Sequence, residues 1–451
     1  AWARNVPREL GWREFGEAYL DRGDLDRAAR FLNRGLTFVP EDPGTLAALG
    51  RLADLRHEDD LALSFYERSV RSDPGDVSAL FELGRHHLRR AAQADDPAPE
   101  RAAARGCFDS MIAGADEEAP ARAEVGRAYA QENLLPEAVQ QLDGAVAADP
   151  DNPRWRYYRG LVELQLGRAR DAAADLAAVP PADDDFVDAQ AKRGEALQRA
   201  GDHREAVAAL LAALALRPTA EPLFVSLAEV YRAGGEGAAA TALLERVLDE
   251  QGPGTDVVVA LADAYATEGR RNQAIDLLRR TLRARPGDVE LLFALGSELA
   301  HAGRTDDALA EMRRILALDP HNAAAMNFVG FELAERGQKL DEAERLVKDA
   351  MALEPSNGLF ADSLGWVYFK EGRLRLAVAT LRRACQEAPD EPVILEHLGD
   401  AYVREGEARE AAKAYGHALE LTQAHPDADV RAALTAKLEL LSGRTAAAGG
   451  R

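Results

Sequence analysis

The sequence predicts an all-α solenoid of about twelve helix-turn-helix repeats closed by a C-terminal capping helix, and three regularities predict it. A frame of 34 residues recurs from Glu9 to about His425. A small residue stands at the eighth and at the twentieth position of every frame, and most frames end with a proline at the thirty-second. Periods of this length mark arrays in which each supersecondary unit buries its apolar face against its neighbours. Composition agrees: alanine and leucine abound, β-branched residues are scarce and glycines recur singly, as short helices joined by tight turns require.

The first frame reads Trp12, Phe15, Gly16, Tyr19, Gly23, Ala28, Leu32, Leu36 and Pro40. Its register holds through repeats that begin at Glu9, Pro43, Val77, Ala119, Pro153, Val187, Glu221, Thr255, Val289, Ala323, Gly358 and Pro392. The third repeat carries about eight extra residues and the tenth carries one.

In the first helix of a repeat, apolar residues at positions 4, 7 and 11 follow the spacing of one helical face, as in Leu292, Leu295 and Leu299. Positions 20, 24, 27 and 28 do the same in the second, as in Ala377, Leu381, Ala384 and Cys385. Position 8 is glycine except at Ala228 and Ala262, and position 20 is alanine throughout, from Ala28 to Ala411. Small residues on two antiparallel helices let the backbones approach closely, which offsets the roughly 1 kcal/mol that a glycine inside a helix costs. Pro40, Pro74, Pro150, Pro218, Pro286, Pro320, Pro355 and Pro389 end their repeats, usually beside an acidic residue placed to cap the next helix.

Departures from the frame follow in order along the chain. The third repeat holds the insert Ala94-Asp95-Asp96-Pro97-Ala98-Pro99-Glu100, expected as a surface loop between its two helices. Repeats four to six hold Arg122, Arg156, Arg159, Glu163, Gln190 and Arg193 where the others bury apolar residues. Arg159 and Glu163, four apart, are expected to pair on the helix face. Either the arginine stems cover the core while their heads reach water, or the seam is looser and is the place for a hinge, near Val179-Pro180-Pro181 and the acidic run Asp183-Asp184-Asp185. From Asp427 to Leu441 one amphipathic helix places Val430, Leu434, Leu438 and Leu441 on one side, the lid that a repeat array needs. The expected order is a lead-in (1–8), repeats one to four (9–152, insert near 91–100), the polar seam of repeats five and six (153–220), repeats seven to twelve (221–425), the capping helix (426–442) and a disordered Ala/Gly-rich tail (443–451).

The formal net charge of −22 repels phosphate backbones and anionic membrane surfaces, so neither nucleic-acid binding nor membrane insertion is expected. No apolar run approaches the roughly 18 residues of a membrane span, and no secretory signal is present. The chain starts at Ala1 without a methionine, which leaves room for a targeting segment or an earlier domain upstream. Cys107 and Cys385 make no disulfide framework. Gly235-Glu236-Gly237 imitates a dinucleotide fingerprint but lies between two helices with no preceding strand, and reads as a turn. His86 and His87 fall on different sides of a helix, and Ser363 beside Asp362 has no histidine at a plausible distance. No catalytic residue, metal site or cofactor is therefore expected.

The frame resembles the tetratricopeptide repeat family over Glu9 to about His425. That resemblance implies a right-handed superhelix whose concave surface is lined by the first helix of each repeat, mainly at positions 2, 5, 9, 12 and 13, and which binds protein or peptide ligands. The segment Asp362-Ser363-Leu364-Gly365-Trp366, following Asn327-Phe328-Val329-Gly330-Phe331-Glu332-Leu333-Ala334, resembles the C-terminal repeats of bacterial cell-envelope proteins of this family, including lipoprotein adaptors that present substrates to processing proteases. This points to the bacterial envelope or periplasm, with the cytoplasm as the alternative; no lipid-attachment cysteine is present. The chaperone-tail clamp of the family is not matched in the first repeats, where Arg13, Glu17, Ala47 and Arg51 stand instead.

On that scaffold the groove has three zones. Arg51, Phe81, Arg85, Arg89 and Arg127 form a basic stripe suited to carboxylates, unless nearby acids neutralise it. Glu195, Glu229 and Asp263 repeat one carboxylate per repeat and either favour basic ligands or form an ordinary solvated face. Asn327, Phe331, Asp362, Trp366, Phe369 and Lys370 combine aromatic anchors with hydrogen-bonding groups and are the expected partner site, the alternative being that Trp366 and Phe369 pack between repeats. The expected function is a non-enzymatic scaffold or adaptor. Self-assembly into a homo-oligomer, which light scattering at several concentrations would detect, is a second reading, and an arm of a larger enzyme is a third.

Overall fold

The computed structural model describes residues 8–422 and 428–448. Most of the expected lead-in (1–7), residues 423–427 around the expected start of the capping helix, and residues 449–451 of the expected tail lie outside the described residues. Those described form twenty-five α-helices and no strand. Two helices make each repeat: α1 (Arg8–Leu20) and α2 (Leu25–Leu36), α3 (Pro43–Leu55) and α4 (Asp59–Ser72), α5 (Val77–Gln93) and α6 (Ala98–Gly114), α7 (Glu118–Gln131) and α8 (Leu135–Ala148), α9 (Pro153–Gln165) and α10 (Ala169–Leu176), α11 (Phe186–Ala200) and α12 (His203–Leu216). There follow α13 (Glu221–Ala233) and α14 (Gly237–Gln251), α15 (Thr255–Thr267) and α16 (Arg271–Ala284), α17 (Val289–His301) and α18 (Thr305–Leu318), α19 (Ala323–Glu335) and α20 (Leu340–Leu353), α21 (Gly358–Lys370) and α22 (Leu374–Glu387), α23 (Pro392–Glu405) and α24 (Ala408–Leu421), and last α25 (Ala428–Ala448).

The chain divides into an N-terminal unit ending at Glu236 and a C-terminal unit starting at Gly237. The division falls in the Gly-rich turn of the seventh repeat. The polar seam, expected as the place for a hinge, lies wholly inside the N-terminal unit.

The small residues act as the frame requires. Every alanine at position 20 is at most 2% exposed, from Ala28 to Ala411. At position 8 a Cβ on Gly126 would lie 2.8 Å from Leu142 Cγ, and one on Gly194 2.8 Å from Leu210 Cγ, so these glycines set the separation of the paired helices. The side chain met in both cases is position 24 of the second helix.

The starts of the first helices are fixed by capping. Asp42, Asp76, Asn152, Asp288, Asn322 and Asn357, each two residues after a repeat-ending proline, accept hydrogen bonds from the first backbone N–H groups of the next helix. The proline carbonyls are used as well: Arg68 donates to Pro40 O at 3.3 Å and Arg314 to Pro286 O at 3.0 Å. Between the two helices of a repeat, position 15 takes a left-handed backbone. Nine repeats place glycine there, with φ from +63° at Gly337 to +93° at Gly406, and two place His57 (+59°) and Asn133 (+57°).

The third repeat differs from expectation. Of the stretch expected as a loop, only residues 94–97 connect the helices; the extra length goes into both helices, and α6 already includes Ala98, Pro99 and Glu100. Glu100 fastens the extension by accepting from His87 at 2.6 Å and Arg90 at 3.0 Å.

The seam also differs. Arg159 does not pair with Glu163 but forks onto Asp175, at 2.6 and 2.7 Å, and reaches Asp143 at 2.7 Å. Arg122 is held by Glu118 and Gln141, at 2.7 and 3.1 Å. Arg156 is half-buried, while Glu163 and Gln190 are buried.

At the C-terminal end, α25 lays Leu434 and Leu441 against Leu395, Tyr415 and Ala418, with Val430 and Leu438 beside them. Lys437 binds Asp400 at 2.7 Å and Glu396 at 2.7 Å. The helix continues to Ala448, through most of the stretch expected as a disordered tail.

Candidate protein-binding surface

The three zones sit on first helices, and the structure treats each differently. In the N-terminal unit, Arg51 on α3 and Phe81 and Arg85 on α5 line a cleft of about 590 Å³. Its wall also holds Arg13 and Glu17 of α1, Glu82 of α5, Met111 of α6 and Glu124 of α7. The expected basic stripe is therefore a mixed surface, because the frame interleaves acids with the arginines on neighbouring helices.

The ion pairs in this cleft are loose: Arg51 to Glu17 at 3.7 Å, Arg85 to Glu82 at 3.7 Å and Arg13 to Asp42 at 3.9 Å. Arg85 lies over the Phe81 ring, 5.7 Å from its centre. Arg13 Nε is buried without a hydrogen-bond partner among the described residues.

Two members of the predicted stripe point elsewhere. Arg89 binds Asp54, which also accepts from Tyr66 at 2.7 Å and His86 at 2.8 Å. Burial opposes ionisation of that carboxyl, but the bonds from His86 and Tyr66 and the charge of Arg89 outweigh it and hold its pKa below the ordinary value. Arg127 is exposed and stacks on Tyr158, 5.3 Å from the ring centre.

The acidic zone has members in both units. Glu195 is flanked by Lys192 at 3.0 Å and Arg199 at 2.6 Å. Glu229 is exposed on α13 of the N-terminal unit, and Asp263 is exposed on α15 of the C-terminal unit.

The third zone gathers its residues but turns them inward. Trp366 is only 7% exposed, so it is not the solvent-facing anchor expected from its position. Its ring stacks on Phe369 with centres 4.6 Å apart and on His397 of α23 at 4.1 Å, and its Nε1 donates to Glu335 Oε2 at 2.6 Å. Asp362, also buried, meets His397 Nδ1 at 2.8 Å. Lys370 pairs with Glu335 at 2.9 Å and Arg404 lies 4.7 Å over the Phe369 ring. Burial pushes the Glu335 pKa up, yet the hydrogen bonds from Lys370 and Trp366 bring it below the ordinary value.

Phe331 stands 6.2 Å from the His397 ring. Asn327 keeps its Oδ1 buried and without a partner among the described residues. Sequence reasoning missed Glu335, His397 and Arg404. Glu335, Lys370 and Arg404 all fall at position 13 of successive repeats, and that acid followed by two bases was the available signal.

Among the described residues no cluster of three or more His, Cys, Asp or Glu could hold a metal, and no helix is long and apolar enough to cross a membrane.

Two protein-family models, both described as tetratricopeptide repeat, match the chain. One matches residues 121–185, 191–255, 259–323 and 331–392, the other residues 394–425, and together they cover more than half of it. A TPR repeat-containing protein of Methanocaldococcus jannaschii is 35% identical over 78 residues, which is 17% of this chain and 14% of that protein. The match thus spans about a seventh of that relative.

Among solved structures, a tetratricopeptide repeat protein from Parabacteroides merdae is 18% identical, with 57% of this chain and 98% of that one covered and a TM-score of 0.45. Yeast Tom70 is 11% identical, with 97% and 96% covered and a TM-score of 0.46. The match to the family models over most of the repeats, on helix pairs with a small residue at each close crossing, settles the assignment: the chain belongs to the tetratricopeptide repeat family.

Proposed function

We propose that this protein–protein interaction scaffold grips an extended segment of a partner along its first helices, with the cleft of Arg13, Arg51, Phe81 and Arg85 as the principal seat. The observation that carries the reading is the looseness of the ion pairs there. At 3.7–3.9 Å these guanidinia are not locked in short hydrogen bonds, unlike Arg159 at 2.6 Å from Asp175, so a ligand can replace their partners at little loss. Arginine forks match carboxylates, and the Phe81 ring offers an apolar contact beside them, which favours a segment carrying an acidic side chain next to an apolar one. In the C-terminal unit a second contact is supported by the unpartnered amide oxygen of Asn327 and by the exposed Phe293, Leu359 and Val393 on first helices.

The finer role is that of an adaptor in bacterial envelope assembly or in presenting substrates to a processing protease. It rests on the resemblance of Asn327–Ala334 and Asp362–Trp366 to envelope proteins of the family. The test is affinity capture with wild type and the Arg51→Ala, Arg85→Ala double variant side by side. A partner held by wild type should bind the variant about tenfold more weakly or worse, since charge-assisted hydrogen bonds contribute about 1.5–3 kcal/mol each. Equal capture at unchanged helicity would sink the assignment of the cleft.

A further inference from the structure

Position 11 of the first helix is buried and apolar where the repeat rule is kept, as at Tyr129, Leu197, Leu299 and Leu333. The fifth repeat places Glu163 there, 8% exposed. Its Oε2 is buried and accepts no hydrogen bond from any described residue. A carboxylate oxygen in that state has lost its hydration without gaining a donor, which is costly in a core.

The charges around it do not help. On its own helix, Arg159 is one turn away, but its guanidinium is taken by Asp175 of α10 and Asp143 of α8. From α10, Asp175 is itself buried and Asp171 adds a further negative charge. On α11, Arg193 binds only Gln190 among the described residues, at 3.4 Å, and keeps its Nε buried without a described partner. Arg199, also on α11, is directed to the Leu164 carbonyl at 3.2 Å and to Glu195. From α7, Arg127 is turned onto Tyr158. Several carboxyl groups thus share one arginine, and Glu163 is the one left out.

We propose that Glu163 makes the fifth repeat a proton-operated weak point of the N-terminal unit: neutral, it lets α9, α10 and α11 close on one another, and ionised, it loosens them and the first-helix surface they form. Geometry and titration agree. Burial first, then the charge of Asp175, pushes the Glu163 pKa up to about 7, with Arg159 opposing. The folded chain therefore binds a proton that the unfolded chain, with an ordinary carboxyl, has already lost. Stability falls as pH rises through the window between 4.5 and about 7 and is level above it. The window ends near neutrality, so a modest change of pH resets this repeat while the rest of the unit is unaffected.

Hydrogen exchange on the full chain at pH 6 and pH 8.5, corrected for chemical exchange rates, tests this. Amides of α9 and α10 should lose protection by about tenfold from the lower to the higher pH, while those of α3 stay level. Glu163→Gln should abolish the difference. Glu163→Leu, which restores the residue type of the other repeats, should abolish it too and raise protection at pH 8.5. Equal protection of wild-type α9 and α10 at both pH values, an equal loss in α3, or a pH dependence that survives in both variants would overturn the proposal.

Discussion

Removing the Trp366 indole would take away two ring stacks and the donor of a 2.6 Å hydrogen bond to Glu335, all inside the wall between α19, α21 and α23. Trp366→Ala is therefore expected to destabilise the C-terminal unit by about 3–5 kcal/mol, as other large aromatic truncations do, with a correspondingly lower midpoint in urea unfolding. A midpoint within error of wild type would show the stack to be ornamental. The indole's chemistry was legible in the sequence but its direction was not. Position 9 faces the groove in the repeat frame, and only the presence of His397 and Phe369 at stacking distance decides that the ring lies down between helices. Glu163 is the opposite case. Its departure from the apolar rule was visible in the sequence, but the partner assigned to it was wrong, because the guanidinium of Arg159 is already taken by both oxygens of Asp175 and by Asp143.

At the scale of the helix pair, the period was readable almost completely and the capping in part. Proline, one spacer and then Asp or Asn announces six of the first helices, as at Pro286, Gly287 and Asp288, and the bond from Leu291 N to Asp288 realises it. The turn between the paired helices was less visible, since His57 and Asn133 stand where other repeats use glycine. A side chain at positive φ costs about 1–2 kcal/mol, and exposed His57 holds φ +59°. His57→Gly should accordingly raise the stability of the N-terminal unit by about 1 kcal/mol, read as a later denaturation midpoint; a fall would mean that His57 makes a contact worth more than the strain. The lengthened third repeat could not be read from Ala94–Glu100 alone. The Asp95-Asp96-Pro97 run is a loop as it reads, but α6 starts directly after it, and its Glu100 holds His87 and Arg90 one helix away.

Over the whole chain, the net charge of −22 describes the surface and not the site. The cleft of the N-terminal unit holds arginines and carboxylates in comparable number, paired loosely enough to exchange. The C-terminal aromatic zone, richer in the residues expected of a hot spot, has satisfied most of its groups internally. The proposed seat rests on unsatisfied or loosely held groups and not on residue type, which is why the fold was legible from periodicity and the proposed seat was not. The most direct test of that seat is site-specific photo-crosslinking on the full chain. A crosslinker replacing Ser78, exposed at the rim of the cleft, should capture the partner, while one replacing Arg105, exposed on second helix α6, should not. Capture from Arg105 alone, or equally from both positions, would contradict a first-helix cleft as the place where this protein holds its partner.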